Sequence, residues 1–331
     1  MNSNKDTLNK SLHKAKEAKY DDFYTQLSDI ERELKHYKEH FNGKTIYCNC
    51  DDPTISNFHK YFCLKFNELG LKKLITTCYK NQQRDLFSTN SSEKAIWLEY
   101  EGTKNSNGIP DKNEIKDGKL NGDGDFRSKE CINLLRQANI IVTNPPFSLF
   151  REYIAQLMDY KKKFIIIGSL NAITYKEIFK LLKENRLWLG YGFERGNAYF
   201  KTLNPKAFAK GVYNEETGLV KFRNVTWFTN LDIQKRHEEL ILYKKYAGHE
   251  DEYPKYDNYD GINVNETKNI PEDYTGVLGV PISFLDKYNS KQFSILKCSA
   301  YSDAKYYGCG ALYVNEKKQY ARILVNYHPL K

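Results

Sequence analysis

Two consecutive prolines, Pro145 and Pro146, stand directly after the apolar run Ile140 to Val142 in the stretch NIIVTNPPFSLFREYI, residues 139 to 154. The apolar run has the length and composition of a strand buried on both faces of a parallel sheet. The prolines end it, because they remove two backbone N–H donors and fix two φ angles, so neither a strand nor a helix continues through them. A rigid elbow follows. Ser148 is then in place to cap a helix whose apolar positions Leu149, Phe150, Tyr153, Ile154 and Leu157 recur at helical spacing.

Ligands of open α/β sheets bind just outside the carboxyl ends of the strands, where Asn144 to Phe147 would lie. Asn144 offers an amide oxygen, Pro145 a carbonyl oxygen and Phe147 an aromatic face. Two fixed acceptors beside a ring suit a planar substrate with an exocyclic NH₂: both N–H bonds are gripped, the ring stacks, and the nitrogen lone pair is left directed at an electrophile. TNPPF after a buried strand resembles the catalytic motif [D/N/S]-P-P-[Y/F/W] of amino-methyltransferases that use S-adenosylmethionine.

The rest of the chain must be consistent with that site. Its 331 residues allow one large domain or a catalytic domain with a smaller one. Lys+Arg 51 against Asp+Glu 42 gives +9, which is compatible with a polyanionic partner. The seven cysteines contain no CxxC pair and are odd in number, so reduced thiols in a cytoplasmic protein are expected, and no metal site. No apolar run approaches a membrane span, and the first ten residues lack a signal-peptide core.

In chain order, residues 1–19 are rich in Lys and Asn and are expected to be a flexible leader. Asp22-Phe23-Tyr24-Thr25 is a polar-aromatic cluster suited to cover a small molecule, and Ser28 or Asp29 is expected to cap the helix after it. Lys44 to Pro53 (KTIYCNCDDP) predicts a first strand, followed by a helix capped by Ser56 and stopped at Gly70, then a strand in Lys73 to Tyr79. This is a βαβ unit whose first loop, with Asp51 and Asp52, is the expected cofactor crevice; the absence of GxGxxG speaks against a nicotinamide or flavin dinucleotide. Ala95 to Tyr100 predicts a further strand, Asn107-Gly108 a turn before a hydrophilic connection, and Ser128 a helix cap just after Asp125-Phe126, which are expected at a strand end. Beyond the elbow, Lys163 to Gly168, Leu187 to Tyr191 and Asn224 to Phe228 predict strands, with a helix capped by Thr174 between the first two. Strands alternating with helices argue for a doubly wound sheet. Composition changes after about Leu231: Arg236 to Tyr246 reads as a basic helix, and Ala311 to Val325 as a hairpin of YV and RILV strands about Asn315 to Lys318.

Taken together and in order, DFYTQLSDIERELKHY, YCNCDDPTISNFHKYF with LGLKKLI, GDFRS, VTNPPFSLFREYI, KFIIIGSLNAITYKEIF and GVPISFLDKYN are similar to segments of the EcoRI-type adenine-specific DNA methyltransferases. The likeness covers nearly the whole chain from Tyr20. It implies an α/β fold: a Rossmann-like S-adenosylmethionine-dependent methyltransferase sheet over 20–232 and a C-terminal α+β target-recognition region over 233–331. By the same resemblance Asn144, Pro145, Pro146 and Phe147 are the catalytic motif. Phe23, Tyr24 and Thr25 contact the methionine end of the cofactor, Cys50, Asp51, Asp52 and Pro53 form the cofactor loop, and Asp125 and Phe126 lie near the cofactor adenine. The glycine-rich FxGxG of that loop is absent here. Implied partners are double-stranded DNA, S-adenosylmethionine and a cognate restriction endonuclease. Arg236, Lys244 and Lys245 are candidates for phosphate contact. Cytosine N4, an RNA base or a protein glutamine presents the same planar amine, and a catalytically silent nucleic-acid-binding protein is the reading from another class.

Overall fold

The computed structural model describes residues 23–50, 52–79, 95–102, 112–202, 212–300 and 307–330. The chain divides into two compact units, one comprising the described residues up to Leu170 with Gly192–Leu231, the other Asn171–Tyr191 with Asp232–Lys331. The leader, residues 81–94 and the Asn107-Gly108 turn lie outside the described residues.

In the first unit, β2 (Thr45–Cys48), β3 (Lys73–Thr77), β6 (Ile140–Thr143) and β7 (Lys163–Ser169) are parallel, with β2 between β3 and β6 and β7 outside β6. Every residue of TIYC and IIVT is buried, as strands covered on both faces require. Three further strands are antiparallel to their neighbours: β4 (Ile96–Tyr100) on β3, β5 (Ile115–Lys119) on β4, and β11 (Val225–Thr229) on β7. Within this unit the order is β5-β4-β3-β2-β6-β7-β11, so the fold is mixed α/β with a large mixed sheet. The chain leaves β2 toward β3 on one side and reaches β6 on the other. That switch point places a crevice at the carboxyl ends of β2 and β6.

This corrects the purely alternating expectation in two places. The hydrophilic connection after Tyr100 contains β5, whose IKDGK sequence has no apolar period because it is an exposed edge. NVTWF enters antiparallel, pairing Val225 with Ser169.

Helix caps follow the expected residues at α2 (Asn57–Leu64), where Ser56 Oγ accepts from Phe58 and His59, and at α3 (Lys129–Gln137), where Ser128 accepts from Cys131. Elsewhere the expectation is corrected. Ser148 sits in a 3₁₀ turn, Phe147–Leu149, closed by the Leu149 N–H on the Pro146 carbonyl at 3.0 Å, and α4 (Phe150–Asp159) starts only after it. Helix α1 (Leu27–Leu34) starts after Gln26, whose carbonyl accepts from Asp29 and Ile30, while the Asp29 carboxylate pairs with Arg32 at 2.9 Å. Helix α5 (Lys176–Lys183), in the second unit, starts after Tyr175, and the Thr174 hydroxyl donates to the Asn171 carbonyl at 2.7 Å.

A second, antiparallel sheet in the first unit runs β1-β8-β10-β9, made of β1 (Phe23–Thr25), β8 (Asn197–Thr202), β9 (Tyr213–Asn214) and β10 (Leu219–Arg223). Ala198, Phe200, Val220 and Phe222 form its buried face. Phe193 stands 6.1 Å from Phe200 and stacks on Trp227 of β11, which meets Phe58 of α2 edge-on at 6.0 Å. One chain of rings thus joins the small sheet, the large sheet and a helix.

His59, on the buried face of α2, has Nδ1 3.0 Å from the Thr76 hydroxyl and Nε2 3.4 Å from the Cys63 thiol. Burial pushes its pKa down to about 4 from 6.5. The unfolded chain therefore binds a proton that the folded chain excludes between these values. The stability this contributes is complete above pH 6.5 and is lost as pH falls toward 4, by about 3 kcal/mol in all. Urea unfolding at pH 7 and pH 4.5 should show that loss, and His59→Gln should make the decline shallower; parallel pH profiles would refute the assignment.

The second unit is built on a sheet of order β12-β13-β14-β18-β15, from β12 (Lys255–Tyr256), β13 (Tyr259–Asn263), β14 (Leu278–Pro281), β15 (Phe293–Cys298) and β18 (Arg322–Tyr327). RILV enters this sheet between β14 and β15, so the expected hairpin is corrected: β16 (Tyr313–Val314) pairs instead with β17 (Lys317–Lys318). Asn315 and Glu316 have φ of 49° and 63°, a hairpin turn held by the Asp257 carboxylate, which accepts both amides at 3.1 and 2.7 Å. The expected basic helix at Arg236 to Tyr246 is only a 3₁₀ turn at Gln234–His237. Side chains hold this segment open: Arg236 lies 3.6 Å over the Trp188 ring and donates to Asn185 and Asp232, and the Gln292 amide takes the Leu240 N–H and donates to its carbonyl. Among the described residues no helix is long and apolar enough to cross a membrane.

Candidate active site

The elbow leaves β6 at its carboxyl end, with Asn144, Pro145 and Phe147 buried and Pro146 half-buried. Helix α4, which begins one 3₁₀ turn later, carries Glu152, Tyr153 and Gln156 back toward the other loops. Gly168 on β7 gives it room, since a Cβ there would overlap the Phe150 ring. Phe150 also packs on Phe228 at 5.0 Å. The angle at which the chain leaves the elbow is therefore fixed by packing on the large sheet.

Across the switch point, β2 ends at Cys48 and the next residue, Asn49, is buried. Its Oδ1 accepts a short hydrogen bond from the Tyr153 hydroxyl. Burial pushes the Tyr153 pKa well above its ordinary value, so this phenol is a neutral donor. Cys50 Sγ lies 3.5 Å from the same Asn49 oxygen. Asp52 Oδ1 accepts from the Thr54 amide at 2.9 Å and the Thr54 hydroxyl at 2.6 Å, and its carbonyl accepts from Ile55 and Ser56. It thereby builds the turn into the Ser56 cap, with Pro53 buried beside it. Asp51 lies outside the described residues.

Asp125 and Phe126 lie in a turn before α3 rather than at a strand end, since β5 closes at Lys119. The loop is pressed onto the end of β3: Gly124 has φ +78° and faces the Cys78 carbonyl. Arg127 clamps Asp125 through Nε at 2.9 Å and Nη2 at 2.7 Å, and its Nη1 reaches Glu152 on α4 at 2.9 Å. The guanidinium holds the Asp125 carboxyl below the usual range, so it is an anion with acceptor capacity. Phe126 meets the Tyr153 ring edge-on at 5.0 Å, and its carbonyl accepts from Gln156 at 3.0 Å.

β1 completes the group. Asn57, the first residue of α2, donates its side-chain N–H to the Thr25 carbonyl at 2.8 Å. Tyr24 is buried, and Phe23 pairs through its backbone with Thr202. The structure thus gathers Thr25, Asn49, Cys50, Asp52, Pro53, Asp125, Phe126 and the elbow around one crevice of the first unit. Sequence reasoning did not single out Asn49, Arg127, Tyr153 or Gln156. Only Tyr153 left a trace, as an apolar position of α4. Of the phosphate-contact candidates in the second unit, Arg236 is held as described, Lys245 pairs with Glu272 at 3.4 Å, and Lys244 is exposed, with its backbone bridged to Pro271.

The large mixed α/β sheet is consistent with a methyltransferase fold. The family model for the adenine-specific methyltransferase EcoRI matches residues 11–327, and the chain belongs to that family of adenine-specific DNA methyltransferases. It is 48% identical over 328 residues to the type II methyltransferase M.EcoRI of Escherichia coli, covering 97% of each chain. Identity is 38% to M.MgeORF184P of Mycoplasma genitalium and 37% to M.MpnI of Mycoplasma pneumoniae, both type II methyltransferases, each over 87% of this chain and 86% of the relative. No solved structure matches it.

Proposed function

We propose that this enzyme methylates N6 of an adenine rotated out of double-stranded DNA, with S-adenosylmethionine as donor, on a Rossmann-like catalytic region over 20–232. The observation that carries the reading is the Asn144-Pro145-Pro146-Phe147 elbow at the carboxyl end of β6, beside the switch point, with Asn144, Pro145 and Phe147 buried. Target recognition is assigned to 233–331, with Asn171–Tyr191 packed into the same unit. A cognate endonuclease reading the same sequence is its natural counterpart, and a reducing cytoplasm suits seven thiols without a disulfide.

The crevice suits the donor. The buried Thr25 and Thr143 hydroxyls, at the ends of β1 and β6, have no hydrogen-bond partner among the described residues, as polar atoms completed by a ligand would. Tyr24 and Thr25, with Phe23 of the same strand, would hold its methionine end; Cys50, Asp51, Asp52 and Pro53 would line its middle; Asp125 and Phe126 would receive its adenine. When bound, S-adenosylmethionine supplies a sulfonium methyl group, an electrophile with a neutral leaving group.

The chain's own residues supply positioning and fixed dipoles. Extruding the base costs a few kcal/mol, offset by stacking on Phe147. Asn144 Oδ1 and the Pro145 carbonyl accept the two N6–H bonds, turning the nitrogen lone pair out of conjugation. Charge grows on N6 as the new bond forms, so both hydrogen bonds strengthen in the transition state.

Purified protein incubated with S-adenosylmethionine and unmodified DNA should yield N6-methyldeoxyadenosine on nucleoside mass spectrometry, and none with RNA. A methylated cytidine, or a product from RNA alone, would overturn the assignment.

Tyr153 positions this machinery, because its hydroxyl and ring tie α4 to the loops after β2 and before α3. Tyr153→Phe keeps the ring and leaves the Asn49 oxygen with only the weak Cys50 thiol donor at 3.5 Å, a loss of about 1–3 kcal/mol. Calorimetry should show S-adenosylmethionine bound about tenfold more weakly, a change of about 1.4 kcal/mol. Unchanged affinity would reduce Tyr153 to a core residue.

A further inference from the structure

The outward face of the small sheet has a charge pattern that its packing does not explain. Cross-strand register pairs Asn197 with Arg223, Tyr199 with Lys221 and Lys201 with Leu219, and directly opposite residues share a face. The outward set on the two inner strands, β8 and β10, is therefore Asn197, Tyr199, Lys201, Leu219, Lys221 and Arg223: three cations and no carboxylate. Opposite charges across from one another stabilise an exposed sheet face, and here Lys201, Lys221 and Arg223 stand across from Leu219, Tyr199 and Asn197, none of them a carboxylate. Lysines that blunt a sheet edge are a different case, because β8 and β10 are interior strands here.

Nearby carboxylates do not compensate. Asp29 and Glu194, at the start of the groove beside this face, are both taken by Arg32, at 2.9 and 3.2 Å. Glu215 and Glu216 sit in the turn beyond Asn214. Lys201 and Arg223 are exposed and belong to no ion pair among the described residues, and Lys221 lies 5.7 Å over the Tyr199 ring, itself 39% exposed. Tyr24, opposite Lys201, is buried, so the open part of the face runs along β8 and β10.

We propose that this face binds the phosphate backbone of substrate DNA. The inference rests on the DNA-methyltransferase reading and gives it a surface. Lys221 and Arg223 stand two residues apart on one strand, about 7 Å, with Lys201 on the neighbouring strand, so their charges form a compact patch. The Tyr199 hydroxyl adds a neutral donor of the kind that also contacts phosphate. The sheet is tied to the active-site side of the same unit through β1, whose Thr25 carbonyl accepts from Asn57, the first residue of α2. DNA lying on it would be held by charge without regard to sequence, leaving base recognition to other residues.

The test is a triple variant, Lys201→Gln, Lys221→Gln and Arg223→Gln, titrated with a labelled duplex of arbitrary sequence over a range of salt. Each lost phosphate contact lowers the slope of log K against log salt by about 0.9, so the triple should lose between about 2 and 3. S-adenosylmethionine affinity should stay unchanged, which also shows that the variant is folded. Lys201→Arg with Lys221→Arg should keep the full slope. A control of equal charge change, Lys60→Gln, Lys129→Gln and Lys161→Gln, should leave it within 1 of the parent. An unchanged slope in the first triple, or an equal fall in the control, overturns the proposal. Failure of the parent enzyme to form N6-methyldeoxyadenosine would instead overturn the function on which it rests.

Discussion

Asn144→Ala should lower turnover by roughly 10²- to 10³-fold, the usual consequence of removing one preorganised acceptor or donor from a site of developing charge. Asn144 contributes one of two acceptors, and the Pro145 carbonyl remains, so residual turnover should be measurable. The loss belongs in kcat, because the bond to N6 strengthens as that nitrogen gains positive charge and is worth less to the bound ground state. Affinity for S-adenosylmethionine should be retained. The crevice is organised by Asn49, Tyr153, Asp52 and Asp125, and none of the hydrogen bonds described among them passes through the elbow. Asn144→Ser, which restores a shorter acceptor, should fall between the two. Single-turnover methylation of a saturating duplex measures the chemical step directly. Turnover equal to the parent would remove Asn144 from the mechanism, and a parallel loss of cofactor affinity would make it a structural residue of the crevice.

The elbow was legible because its signal is local. Two prolines after IIVT dictate a turn whatever the rest of the chain does. TIYC, IIVT and FIII were legible for a similar reason, since burial on both faces leaves unbroken apolar runs. Ser56 and Ser128 announced their helices because their hydroxyls accept N–H groups of the first helical turn, whereas the turn closed by the Pro146 carbonyl displaced Ser148 from that role. What stayed hidden is non-local. IKDGK is a strand only because Trp97 and its neighbours stand beside it, and Phe23–Thr25 is a strand only because Phe200 and its neighbours, far along the chain, pair with it. Tyr153 shows the same limit at the site. At an apolar helical position a tyrosine reads as core, and its ring is core. The role of its hydroxyl depends on an asparagine 104 residues earlier.

Gly124→Ala should be the most damaging substitution of small size in the first unit. Gly124 sits at φ +78°, where a side chain costs about 1–2 kcal/mol. A Cβ there would also overlap the Cys78 carbonyl and press on the Ala95 Cβ, at 2.8 Å. Neither neighbour is the movable end of a long side chain, so the loop itself must shift, at a further cost of about 1–3 kcal/mol. The two residues after Gly124 are Asp125 and Phe126, so the shift moves the carboxylate clamped by Arg127 and the ring that meets Tyr153. Stability and cofactor affinity should therefore fall together, the affinity by tenfold or more. Gly43→Ala separates the two costs, because Gly43 has φ +69° but nothing within 4 Å of its Cβ position. It should lose only the backbone share, about 1–2 kcal/mol in urea unfolding, and bind S-adenosylmethionine normally. Equal losses in the two variants would show that the loop is not pinned to the end of β3, and the geometry assigned to Asp125 and Phe126 would lose its support.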